Sequence, residues 1–285
     1  FAIEQANDLG LPLQVYHGLR HDYPWASDRF HTWILESVID LQADFAAKGI
    51  NYAFWLDRST GEYTKWPAGG RTGGPAGDLA QTMSAPARHD RPSDRPTALV
   101  SLADRAALVV TDYFPTFIVP RQIRGLRMKT ATPVIAVESA TVVPMAFHTK
   151  EHSTARGFRT VLMEALPHYF WAVENPEPRV RRVIDLPFEP IVPQREPGTG
   201  SREPGNSIAE LVAGCDIDHT VPPSPMFRGG THAGRTRLME FLRTGLGNYI
   251  DDRNDPNKPD KVSRLSPWLH FGNLSIHEVL LAAQA

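Results

Sequence analysis

The sequence predicts an α/β domain built on a doubly wound parallel sheet, followed by the beginning of an all-helical domain. Three observations lead there. Short apolar runs alternate with amphipathic helical stretches as far as residue 139, which is the rhythm of strand–helix–strand units. A Pro-rich, charged stretch then interrupts the pattern, and beyond it only helical periodicity returns. The 285 residues suffice for two ordinary domains.

Taken in order, FAIEQANDLG reads as a helix ended by Asn7, Asp8 and Gly10, and LPLQVYHGL (11–19) as a short strand. Ser27 and Asp28 stand where a cap is needed for a long helix over 29–48, in which Trp33, Ile34, Val38, Leu41 and Phe45 recur at helical spacing until Gly49. INYAFWL (50–56) is the next buried strand. From Asp57 to Pro96 the pattern dissolves into Gly, Pro, Thr and Arg, as expected of a long surface loop. TALVSLADRA is a helix and ALVVTD (107–112) a strand; a turn and helix follow through FPTFIVPRQIRGLRMK, then the strand TPVIAVES (132–139). A first strand ahead of Phe1 would complete a Rossmann-like sheet. The sequence starts at Phe1 and stops at Ala285 within helical runs, so both ends are expected to lie inside a longer reading frame. Ligands of such sheets sit beyond the carboxyl ends of the strands. Those ends carry His17, Arg20, Asp57, Asp112 and Glu138. Residues 153–170 form an amphipathic helix, and the Pro-rich stretch after it reads as an extended linker. Helices over 207–213 and 231–246 open the last part. The expected division is 1–145 for the α/β domain, 146–205 for a linker with one helix, and 206–285 for the start of the helical domain.

Composition narrows the class. Apolar residues make up 41% and charged residues 22%, and no apolar run approaches the roughly 20 residues of a membrane helix. The single Cys215 excludes a disulfide framework, so a reducing, cytoplasmic setting is expected. The further expectation is a monomer without a membrane partner. The net charge of −2 exerts no global pull on nucleic acid, and any such binding must rest on a local patch. From Met226 onward eight Lys and Arg face six Asp and Glu, compatible with one.

Chemistry-bearing motifs are few. There is no G-x-G-x-x-G after the first strand, no P-loop and no G-x-S-x-G. His148 and His152, four apart, read as a solvated helix start before they read as metal ligands; Asp251-Asp252 reads as part of a loop. One stretch stands out. After the Asn-Asp-Pro loop, Ser263, Arg264, Leu265 and Ser266 enter the first turn of a helix with Pro267 just inside its start. Amides, hydroxyls and a guanidinium together suit a phosphate or diphosphate, although by itself the pattern is also an ordinary cap.

Its neighbours add more. Tyr249, Arg253-Asn254-Asp255-Pro256 and Ser263-Arg264-Leu265-Ser266-Pro267-Trp268-Leu269-His270-Phe271-Gly272 closely resemble the flavin-binding segment Y-x-x-x-R-N-D-P…S-x-L-S-P-Y-L-H-F-G of DNA photolyases and cryptochromes. YHGLRHDYPWASDRFHTWILES, VVTDYFPTFIVPRQ and Ile217–Pro223 resemble the class II cyclobutane-dimer enzymes in particular. The resemblance implies an antenna-type α/β domain that can hold a deazaflavin or folate chromophore, with Asp112, Tyr113, His17 and Arg20 as weak candidates for touching it. It implies FAD at Tyr249, Val262, Ser263, Arg264, Leu265 and Ser266, with Arg253 on the backbone of UV-damaged DNA. It further implies light-driven splitting of pyrimidine dimers, with the electron supplied by the flavin rather than by side chains. Trp268 stands where Tyr is usual, the loop from Pro256 to Ser263 is one residue longer than usual, and the 57–96 insert is unusual. A cryptochrome-like photoreceptor and a flavin-free binding module remain alternatives at this point.

Overall fold

A computed structural model describes residues 1–58, 97–171, 176–195, 206–258 and 261–284. The expected 57–96 loop therefore lies almost entirely outside the described residues, as do parts of the linker and of the loop before Val262.

The organising element is α2 (Asp28–Ala47), a helix of 20 residues preceded by α1 (Ala2–Leu9) and β1 (Gln14–Leu19). Gly10 ends α1 in the left-handed conformation, at φ 64°, and Leu11 donates back to the Ala6 carbonyl at 3.0 Å. Gly49 takes the same conformation after α2. β2 (Asn51–Leu56) then returns beside β1 in parallel, with Gln14 opposite Asn51 and Leu19 opposite Leu56. After α3 (Ala98–Ala103) come β3 (Val109–Tyr113), α4 (Val119–Arg127) and β4 (Val134–Glu138), with β3 and β4 again parallel. The parallel α/β class holds. Among the described residues, however, the four strands form two two-stranded ribbons rather than one continuous sheet, because neither β1 nor β2 is hydrogen-bonded to β3 or β4.

Helix α5 (Ala155–Tyr169) opens on Thr154, whose hydroxyl accepts from Gly157 N–H at 3.2 Å. His148 and His152 both precede it and share no helix; their rings pack instead on Phe158. The linker lies across the α/β surface. Glu177 and Arg179 meet the Asn7 side chain, the Arg182 carbonyl accepts from Asn51, and Ile191 N–H donates to Phe54 O at 2.9 Å. A capping box between Ser207 and Glu210 starts α6 (Ile208–Ala213). Its Ile208, Leu211 and Val212 join Leu19, Leu35, Val38, Phe54 and Leu56 in one core. Then come α7 (Thr231–Thr244), the one-turn α8 (Tyr249–Asp252), α9 (Ser266–His270) and α10 (Ile276–Gln284).

Helix α2 is buried on more than one side, which explains why its polar residues Glu36, Ser37 and Asp40 are also buried. One side packs on the ribbon core. The other packs Trp33 into a second core with Leu238, Leu265, Trp268 and Leu274. There Trp33 and Trp268 lie 5.4 Å apart, Trp33 Nε1 donates to Asn273 Oδ1 at 3.0 Å, and Trp268 Nε1 donates to Arg228 O at 3.0 Å. The two buried carboxylates meet the chain entering α7. Glu36 accepts from Gly229 N–H (2.6 Å) and Arg228 (3.0 Å); Asp40 accepts from His232 N–H (3.0 Å) and Arg195 (3.0 Å). Acidic groups from α2 thus cap the N-terminus of α7 across the molecule.

Candidate functional site

Helix α7 is the scaffold of the site, and its successive turns hold the separate pieces of the sequence motif. Its apolar side, Leu238 and Phe241, is buried. Leu238 packs in the core that contains Leu265, which is only 2% exposed. Phe241 meets Tyr249 edge to face at 5.4 Å. One turn earlier, the Arg237 guanidinium donates through Nη2 to Val262 O (2.9 Å) and through Nε to Ser263 O (2.8 Å), while Nη1 pairs with Glu240 at 2.9 Å. Tyr249, Val262, Ser263 and Leu265 are therefore gathered on one helix although the sequence separates them.

Ser263 does not cap a helix. Arg264 sits at φ 54°, outside the helical region, and α9 begins at Ser266 with Leu265 as its N-cap residue and no side-chain cap bond. Val262–Leu265 thus form a bend ahead of α9 instead of its first turn. Ser266 is exposed, Pro267 occupies the first turn, and Val262, Ser263 and Arg264 are half-buried. The donor set on this bend and the first residue of α9 (the Ser263 and Ser266 hydroxyls, the Arg264 guanidinium and backbone amides) has the chemistry of a diphosphate site and fits the polar arm of FAD.

Arg253 follows α8, with its guanidinium carbon 5.9 Å from the centre of the Tyr249 ring. It is exposed. The adjacent acidic pair is divided in role and lies on α8, not in a loop. Asp252 is buried and accepts from Lys258 Nζ at 2.6 Å, a hydrogen bond that pushes the Lys258 amine up, whereas Asp251 is exposed. That pairing ties the Asn-Asp-Pro loop back to α8.

The strand-end residues take mainly structural roles. His17 donates to or accepts from Tyr52 OH at 2.7 Å and packs on Phe54; burial lowers its pKa to about 4. Arg20 pairs with Asp22, and Ser139 donates to Asp112 at 2.8 Å. Tyr113 is exposed and lines a 520 Å³ cavity between α4 and the β3–β4 ribbon, together with Phe114, Ile123, Met128, Arg124 and Arg127. No group of His, Cys, Asp or Glu among the described residues is arranged to hold a metal ion, and no described helix is long and apolar enough to cross a membrane. Sequence reasoning missed Arg237, Glu36 and Asp40. Glu36 and Asp40 share a face of α2 at i, i+4, but nothing local signals that this face is buried; Arg237 shows only an ordinary pairing with Glu240.

No family model matches the chain. The deoxyribodipyrimidine photo-lyase of Methanothermobacter thermautotrophicus is 26% identical over 287 residues, which cover 100% of this chain and 52% of that protein. The enzyme of the same name from Potorous tridactylus is 30% identical over 181 residues, 62% of this chain and 30% of its own length. Among solved structures, the archaeal photolyase from Sulfolobus tokodaii, crystallised with two FAD molecules, superposes with a TM-score of 0.51 at 16% identity. It covers 96% of this chain and 49% of its own. The Synechocystis sp. PCC6803 cryptochrome gives 0.54 at 13% identity, covering 98% and 51%. The chain spans about half the length of the archaeal photo-lyase and of both solved structures. In sequence and in fold, it matches the N-terminal portion of the photolyase and cryptochrome family.

Proposed function

We propose that this chain forms the N-terminal portion of a light-dependent DNA-repair flavoprotein, a deoxyribodipyrimidine photo-lyase of class II type that acts as a cytoplasmic monomer on UV-damaged DNA. The observation that carries the reading is the motif from Tyr249 to Gly272, whose parts converge on α7. In this reading residues 1–145 are the antenna domain, 146–205 the linker and 206–285 the start of the FAD-binding domain. Val262, Ser263, Arg264, Leu265 and Ser266 bind the polar arm of the cofactor, and Tyr249 borders it. When bound, FAD supplies the light absorption and the electron that splits a pyrimidine dimer. The chain's own residues position it: Leu265 anchors the bend in the core, and Phe241 fixes the Tyr249 ring. Arg253 meets a DNA phosphate near the flipped-out lesion, whose extrusion costs less than that of an intact pair. The cavity lined by Tyr113, Phe114, Arg124 and Arg127 is the candidate seat of a deazaflavin or folate antenna.

The second reading is a cryptochrome-like photoreceptor, supported by the cryptochrome among the structural neighbours. Repair of dimer-containing DNA by the full-length protein, in blue light and in darkness, decides between them. The expected outcome is repair in light alone. A flavin spectrum without repair in either condition would favour the photoreceptor.

A further inference from the structure

We infer that Arg237 is a positioning residue for the flavin-binding bend; the inference rests on the FAD reading above. Its guanidinium bonds to two consecutive backbone carbonyls, Val262 O at 2.9 Å and Ser263 O at 2.8 Å. Every peptide bond in the described chain is trans. In a trans peptide the N–H points opposite to its own C=O. Turning both carbonyls onto one cation therefore turns the N–H groups of Ser263 and Arg264 to the opposite side, away from α7. In an extended strand successive carbonyls alternate in direction, so a chain that presents two in a row to one group cannot be extended there. The left-handed Arg264, at φ 54°, completes the turn. Two neighbouring amides facing one way are the donor arrangement that receives an anionic oxygen.

Arg237 suits this task. Its side chain is 17% exposed and Glu240 holds its remaining Nη1, so the fork is pre-oriented. A planar guanidinium can serve two carbonyls at fixed spacing, whereas an ammonium is a single point charge. Other anchors hold the ends of the segment. Leu265 is buried, and Lys261 Nζ reaches Thr244 O at 3.2 Å. Among the described residues, Arg237 is the side chain that grips both carbonyls. It does not touch the cofactor in this account; it acts through the bend.

The test compares the full-length protein with Arg237→Lys and Arg237→Gln by three measurements: amide hydrogen exchange, thermal unfolding, and titration with FAD and with riboflavin, which lacks the diphosphate. Exchange at Ser263–Leu265 should accelerate about tenfold or more in Arg237→Gln, with exchange in β1, β2 and α2 unchanged. FAD affinity should fall by about tenfold, as for loss of a charge-assisted hydrogen bond, with riboflavin affinity unaltered. Arg237→Lys should fall between the two proteins. Equal loss of FAD and riboflavin, or faster exchange spread through the whole molecule with a lowered melting point, would reduce Arg237 to a structural residue and overturn the inference. Unchanged exchange at the bend would overturn it as well. A wild-type protein that binds no flavin would sink the functional reading instead, and exchange at the bend would still judge Arg237.

Discussion

Replacing Gly229 by alanine probes the junction between α2 and α7 most directly. A Cβ at this position would clash with the Trp33 carbonyl oxygen and lie 2.9 Å from the Trp33 carbonyl carbon and 3.1 Å from Ser37 Oγ. The first two atoms are main chain in the middle of a long buried helix, so no rotamer change relieves the clash. The chain entering α7 must move away, and the 2.6 Å bond from Gly229 N–H to Glu36 goes with it. Overpacking costs about 1–3 kcal/mol, and loss of a buried hydrogen bond to a charged group about 1.5–3 kcal/mol, so the variant should lose roughly 3–5 kcal/mol. In a protein of this size that lowers the melting point by on the order of 10 °C. Urea unfolding should show a lower midpoint at an unchanged slope. Gly125→Ala is the control: it lies inside α4, meets nothing within 4 Å, and should stabilise by about 0.5–1 kcal/mol. If Gly229→Ala stayed within about 1 kcal/mol of wild type, the two halves would not meet as tightly as the backbone contact requires.

Acid should weaken the fold through His31. It is fully buried with its pKa lowered to about 4, first by desolvation. The unfolded chain takes up the proton near pH 6.5, so this stability is complete above that pH and is lost as pH falls toward 4, by about 3 kcal/mol for this residue. The urea midpoint followed from pH 7.5 to 4.5 should fall more steeply for wild type than for His31→Phe, and parallel profiles would refute the assignment. Arg253→Ala in the full-length protein should weaken DNA binding roughly uniformly across sequences and reduce the salt slope by about one, leaving flavin bound. An unchanged slope would remove Arg253 from the phosphate contacts.

Local rules made most elements readable. The αL glycines at 10 and 49 and the apolar spacing of 33, 38 and 45 all act within a few residues, and apart from α8, whose Asp251-Asp252 reads as loop, the helices and strands fall within two or three residues of their expected bounds. Reading failed where partners are distant. Glu36 and Asp40 look like the solvent side of an amphipathic helix until α7 covers them. Ser263 looks like a cap because a cap needs only a hydroxyl three residues ahead, but the left-handed turn at Arg264 delays the helix to Ser266. The alternation of strands and helices fixes parallel pairing but not which ribbons share an edge, since that depends on backbone partners far along the chain. His148 and His152 follow the same logic: their spacing suggests a shared helical face, and the structure places both ahead of α5, with their rings on Phe158 of that helix.

These distant contacts form a sequence of their own. Helix α2 belongs to the ribbon core through Leu35 and Val38, and its Glu36 and Asp40 fix the start of α7. Helix α7 then carries Arg237 one and a half turns further on, and Arg237 sets the peptide planes of Val262 and Ser263. The Trp33–Trp268 contact closes the circuit by packing the helix after the bend against the helix where the path began. A displacement at Gly229 should therefore reach the bend, some thirty residues away in sequence, by tilting α7 rather than by unfolding it. The α/β half supplies the rigid base from which the motif is aimed, and that is a physical reason for the two halves to share one chain.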